Sequence, residues 1–215
     1  MDEIRVNTVP VDQSTLRSVA QASTPQREYQ VESPWSLDNL PGDPMMWILI
    51  LSEILVFGGF LWAFAGNELL HPEMYKEART HLNVPLATIN TIVLLTSGFF
   101  AAVALRFVKL GEITKTRVSL LGAGLLGVVF MALKIFEYQE KFALGIDIET
   151  NTFYTLYYLV TGFHLAHVIF GLIILAILAI WPTEENLESG TAFWHMVDLI
   201  WVIIFPVFYL MGQAL

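Results

Sequence analysis

Seven ionisable residues lie inside stretches otherwise apolar enough to cross a lipid bilayer: Glu53, Lys134, Glu137, His164, His167, His195 and Asp198. Such side chains could transfer protons, ligate a metal or pair charges, and their spacing sorts these chemistries. An ionisable group at the centre of a spanning helix costs roughly 2.5–3.5 kcal/mol on insertion scales and usually faces protein or water rather than lipid. Lys134 and Glu137 stand one helical turn apart, as do His195 and Asp198, so each pair can neutralise itself locally. This favours a structural role for both, because a buried pair is weak evidence of anything beyond conformational specificity.

Glu53 is different. Leu49, Ile50, Val56, Phe57 and Phe60 surround it on its own helix, and none offers a side-chain donor. Burial without a partner favours the neutral carboxyl. Two readings stand: an acid hydrogen-bonded to another helix, or an acid that handles protons. His164 and His167 place two imidazoles on one face, and histidine is the commonest metal ligand. The other intramembrane histidine, His195, lies ~15–20 Å away in depth, whereas a zinc-type site needs about four ligands, or three plus water. The ligand set therefore argues against a metal held by this chain. The sequence contains no cysteine, which removes thiolate sites, disulfides and cysteine catalysis together.

The elements that carry these residues are five apolar stretches, 44–66, 85–108, 118–140, 152–181 and 191–211. Each is at least as long as the ~20 residues that a spanning helix needs. The 215 residues are 55% hydrophobic and 14% charged, against about a quarter charged in a soluble domain. The expected fold is an all-α polytopic membrane protein, a bundle of five transmembrane helices with little room for a soluble domain. Pro44, Pro85 and Pro182 sit at the borders, where a missing backbone donor does least harm. Trp47, Trp62, Trp181 and Trp194 fall near the ends, as interfacial aromatic belts require. Residues 67–83 suit either a short interfacial helix or a plain loop. The small-residue pairs Ala123/Gly127, Gly162/Ala166 and Ser97/Ala101 support close helix packing.

Counting ~1.5 Å per residue from the borders gives two polar layers, an inner one of Glu53, His195 and Asp198 and an outer one of Lys134, Glu137 and His164. Residues 1–43 are polar and acidic, with no apolar core and no signal-peptide pattern, and are expected to be a disordered cytoplasmic tail. The net charge of −9 gives no support for nucleic-acid binding. Arg106, Lys109, Lys115 and Arg117 border the second loop, while Lys76, Arg79 and Lys141 lie on the opposite side. The positive-inside rule then puts the N-terminus inside and the C-terminus outside.

The ordered stretches Ser52-Glu53, Val56 to Phe64, Val84-Pro85-Leu86, Asn90-Thr91, Leu94 to Gly98, Glu137-Tyr138, Thr152-Phe153, Thr161 to His164, His167 to Gly171 and Trp194 to Asp198 with Trp201 resemble subunit III of the haem–copper oxidase superfamily. The resemblance covers residues 44–213. It implies the short five-helix form, without the first two helices of longer members. The Leu40 to Asp43 entry and the Phe205 to Tyr209 ending look closer to the subunit III-like proteins associated with bacterial nitric oxide reductases. By this resemblance the chain carries no cofactor, and haem and, in an oxidase, copper belong to a partner catalytic subunit. The implied role is to pack against and stabilise that subunit, bind lipids and ease proton or oxygen access in a bacterial plasma membrane. Glu53, Glu137, His164, His195 and Asp198 match polar positions of the family. The competing reading is a small transporter or proton-conducting protein. Against it, five spans do not divide into equal repeats, and only Pro206 interrupts a span interior.

Overall fold

A computed structural model describes residues 44–211, all helices, turns and short connections, with no strand among them. The tail 1–43 lies outside the described residues. The helices are α1 (Pro44–Leu70), α2 (Pro72–Thr80), α3 (Val84–Lys109), α4 (Ile113–Ala143), α5 (Thr152–Ile180) and α6 (Glu184–Phe205), which runs on through a π-helical turn, Pro206–Leu210. All but α2 are long and apolar enough to cross a membrane.

Local chemistry fixes the ends. The side chains of Asn83, Asn151 and Thr183 accept from the backbone N–H groups of Leu86, Tyr154 and Asn186, satisfying orphan donors at the starts of α3, α5 and α6. At the other end, Gly111 and Gly145 have φ of 74° and 75°. Their left-handed conformation lets Glu112 N–H reach Phe107 O and Ile146 N–H reach Lys141 O, both at 3.0 Å. These are Schellman closures.

Between α1 and α3 the chain forms the short helix α2 rather than a plain loop, with Pro72 in its first turn. α6 starts at Glu184, earlier than the apolar stretch at 191. The three acidic residues before that point are its first turns, with Glu184 and Glu185 at the positive end of the helix dipole. This shift moves Trp194 from an expected belt position into the interior. It is fully buried, and a Cβ on Gly127 or Gly171 would come within 2.8 or 2.6 Å of its ring.

α3 and α4 make the most extensive helix pair, α6 packs against both α3 and α5, and α5 also meets α4. α1 lies outside these four against α5 and α6 and is the least buried span, while α6 is the most buried. Ser97/Ala101 and Ala123/Gly127 sit in buried seams, and Ser97 Oγ donates to Ala123 O across α3 and α4 at 2.7 Å. Gly162/Ala166 does not behave in this way, since Ala166 is exposed and nothing approaches a Cβ on Gly162.

Candidate functional site

Of the seven residues, Lys134 and Glu137 hold the most elaborate environment. Both are buried on α4, with Lys134 Nζ 2.9 Å from Glu137 Oε2. Nζ also donates to the hydroxyls of Tyr157 on α5 and Tyr209 in the π-helical turn, each at 2.8 Å. All three ammonium hydrogens are thereby used. The two hydroxyls donate in turn to Glu137 Oε1, at 2.9 and 2.8 Å. Lys141, one turn further along α4, donates to the same oxygen at 2.8 Å. Two ammonium groups and two phenols thus enclose one carboxylate, tying α4, α5 and the end of α6 together.

Lys141 counts among the outer-side cations of the positive-inside rule, and it is buried. Its spacing of four from Glu137 and seven from Lys134 places all three on one face, and that was a readable signal. Arg79, counted likewise, is buried in a paired contact with Glu68, Nη2 to Oε2 being 3.0 Å, and its Nη2 also meets Val207 O at 3.3 Å. This clamp fastens α2 to both α1 and the π-helical turn. Beside it, burial and the Glu68 carboxylate push the Tyr75 phenol up to about 12, against the opposing pull of Arg79.

Glu53 finds a partner on α5. Its Oε2 lies 3.1 Å from His167 Nε2. That oxygen has no aligned hydrogen bond, so the distance, but not the angle, is that of one. The other ring nitrogen, Nδ1, is 2.9 Å from Phe163 O. A carbonyl only accepts, so Nδ1 carries a hydrogen there. The pair lines a cleft of about 190 Å³ with Leu49, Ala166, Phe170 and Phe193.

Glu53, His195 and Asp198, expected at one depth, pair separately, Glu53 with His167 of α5 and His195 with Asp198 on α6. His164 sits in a buried aromatic box. It stacks on Trp201 with centroids 5.1 Å apart, and Phe130 stands edge-on at 5.8 Å. Neither of its ring nitrogens has a hydrogen bond among the described residues. Both histidine rings touch Phe57 of α1, with centroids 6.4 Å from His164 and 5.6 Å from His167, and the described residues contain no cluster of three or more metal-ligating side chains.

His195 Nδ1 and Asp198 Oδ2 are 3.6 Å apart on α6. Asp198 Oδ1 is buried without a hydrogen bond, and a Cβ on Gly98 of α3 would run into its carboxylate. Nearby, Trp194 Nε1 donates to Ser97 Oγ at 3.1 Å and Trp201 Nε1 to Thr91 Oγ1 at 3.0 Å. These indole bonds register α3 against α6. Chemically, the interior encloses charge around Glu137 and sets a carboxyl beside an imidazole at Glu53–His167 and at His195–Asp198.

Comparison with known proteins adds independent information. Residues 43–213 match the family described as cytochrome c oxidase subunit III. The chain is 30% identical to cytochrome c oxidase subunit 3 of Thermostichus vulcanus, covering 77% of this chain and 85% of that protein. It is 28% identical to cytochrome c oxidase subunit 3 of Bacillus subtilis, covering 86% and 99%. A further relative, haem–copper oxidase subunit I+III of Aeropyrum pernix, is 28% identical over 77% of this chain and 22% of its own length.

Proposed function

The chain belongs to the cytochrome c oxidase subunit III family, and on that premise we propose that it is a non-catalytic subunit of a respiratory haem–copper oxidase superfamily complex. It packs against the catalytic, haem-bearing subunit, stabilises it and contributes a lipid-facing surface. The observation that carries this reading is the family match over every spanning helix. The A. pernix relative supports the kind of partner, because its name joins subunits I and III. Haem, and copper where the core is an oxidase, belong to that partner.

The choice of core is between a cytochrome c or quinol oxidase and a nitric oxide reductase. The named relatives favour the former, and the Phe205 to Tyr209 ending favours the latter. The complex sits in a bacterial plasma membrane with the α3–α4 turn in the cytoplasm. Supporting this side, Lys109 at the end of α3 bonds Glu188 at 2.6 Å, so the α3–α4 and α5–α6 turns share the end of the bundle that carries Arg106, Lys115 and Arg117. Proton or oxygen access to the core is a second contribution, resting on Glu53 and His167.

Purification of the tagged chain from native membranes in mild detergent tests the reading. The expected result is co-purification of a haem protein of the catalytic type, with copper distinguishing an oxidase from a nitric oxide reductase. Recovery of the chain alone or as a homo-oligomer, with haem absent from the preparation, would refute it.

A further inference from the structure

α6 is the most buried span, yet one strip of it is open: Ala192, His195, Leu199, Val202 and Ile203. α1 and α3 flank the strip. At one end Ile50 of α1, Leu105 of α3 and Glu188 and Ala192 of α6 enclose a hollow of about 270 Å³. Further along, Ile54, Gly58 and Leu61 of α1 form the wall over Leu199 and Ile203. Gly98 of α3 stands beside His195 and Asp198. The result is a membrane-depth groove with α6 as its floor.

The floor is not uniformly apolar. The His195 side chain is 45% exposed in the middle of a spanning helix, where hydrocarbon supplies neither donor nor acceptor. Asp198, one turn along α6, lies beyond good hydrogen-bond distance at 3.6 Å and has a second carboxylate oxygen without a bond. Buried polar groups are almost always satisfied. The hydrogen-bonding capacity here is unmet by this chain among its described residues. At Gly58 nothing stands within 4 Å of a Cβ position, so a foreign backbone can approach that wall closely.

We propose that this groove seats a transmembrane helix of the catalytic subunit, and that the helix presents a hydrogen-bonding side chain to His195. The proposal rests on the subunit reading above and specifies the surface it uses. A lipid chain fills the apolar ends but leaves His195 and Asp198 unsatisfied. A second copy docked by symmetry sets groove against groove, so the walls touch and both floors stay uncovered. A convex helix carrying one polar group fits both the shape and the chemistry.

The absence of cysteine allows a direct test in the assembled complex. Ile54→Cys on the groove wall and Ile173→Cys on the open face of α5 are each labelled with a benzophenone maleimide and irradiated in native membranes. The expected result is a cross-link from position 54 to the haem-bearing subunit, severalfold stronger than from position 173. In parallel, His195→Leu is expected to lose the haem subunit on detergent washing severalfold faster than wild type, and His195→Gln to retain it. A cross-link from 54 to a second copy or to lipid alone overturns the groove assignment while the co-purifying haem subunit leaves the family reading intact. Full retention by His195→Leu overturns the polar contact. A wild-type chain that brings down no haem protein defeats the underlying reading instead.

Discussion

Glu53 and His167 face each other as two acceptors. His167 Nδ1 is committed to Phe163 O, so Nε2 presents a lone pair to Oε2 unless one proton resides on either group. A glutamine at position 53 can donate an N–H to the same nitrogen. Glu53→Gln is accordingly expected to keep the assembled complex at its wild-type thermal midpoint. Glu53→Ala removes the carboxyl beside His167 Nε2 and is expected to cost about 1–3 kcal/mol. Thermal unfolding of the purified complexes checks both, and a Gln variant as unstable as Ala would mean that the charge itself is required.

The Lys134–Glu137–Lys141 cluster is asymmetric, with two cations for one anion. Removing the anion strands both ammonium groups, whereas removing Lys134 leaves the carboxylate with Lys141 and two hydroxyls. Glu137→Gln is expected to destabilise by about 3–5 kcal/mol, the range for breaking a buried charge pair. Lys134→Met is expected to cost about 1–3 kcal/mol. Denaturation midpoints in one detergent should rank the two in that order, and the reverse ranking would contradict this balance of charge.

At the level of elements, α3 and α6 meet where Gly98 faces Asp198. Gly98→Ala forces the carboxylate or the helix to move and is expected to cost about 1–3 kcal/mol, as overpacking does. Gly124→Ala in α4, where a Cβ meets nothing within 4 Å, is expected to leave stability unchanged or raise it by up to ~1 kcal/mol. Equal losses from both variants, read by the same thermal assay, would show that helix propensity rather than this close approach controls the seam. The spanning helices themselves were legible in the sequence, since hydropathy and flanking prolines mark them. The start of α6 was not, because its first turns are acidic and resemble a loop until Thr183 is seen to cap them. The Lys134–Glu137 contact was legible from its one-turn spacing. Tyr157, Tyr209 and the Glu53–His167 contact were not. They depend on how separate helices rotate and slide against one another, which no periodicity within one helix records.

Across the whole molecule, charge is handled in two ways. Where helices are packed on all sides it is enclosed, as around Glu137 and in the Arg79–Glu68 clamp. Along the open side of α6 it is left incomplete at His195 and Asp198, which is the pattern of a subunit finished by its partner. The most direct test of the supporting role is to strip this chain from the purified complex and follow both fractions by haem absorbance, metal content and turnover. All haem and transition metal are expected to stay with the catalytic core, which continues to turn over but loses activity sooner than the intact complex. Stoichiometric haem, iron or copper on the separated chain would contradict the account.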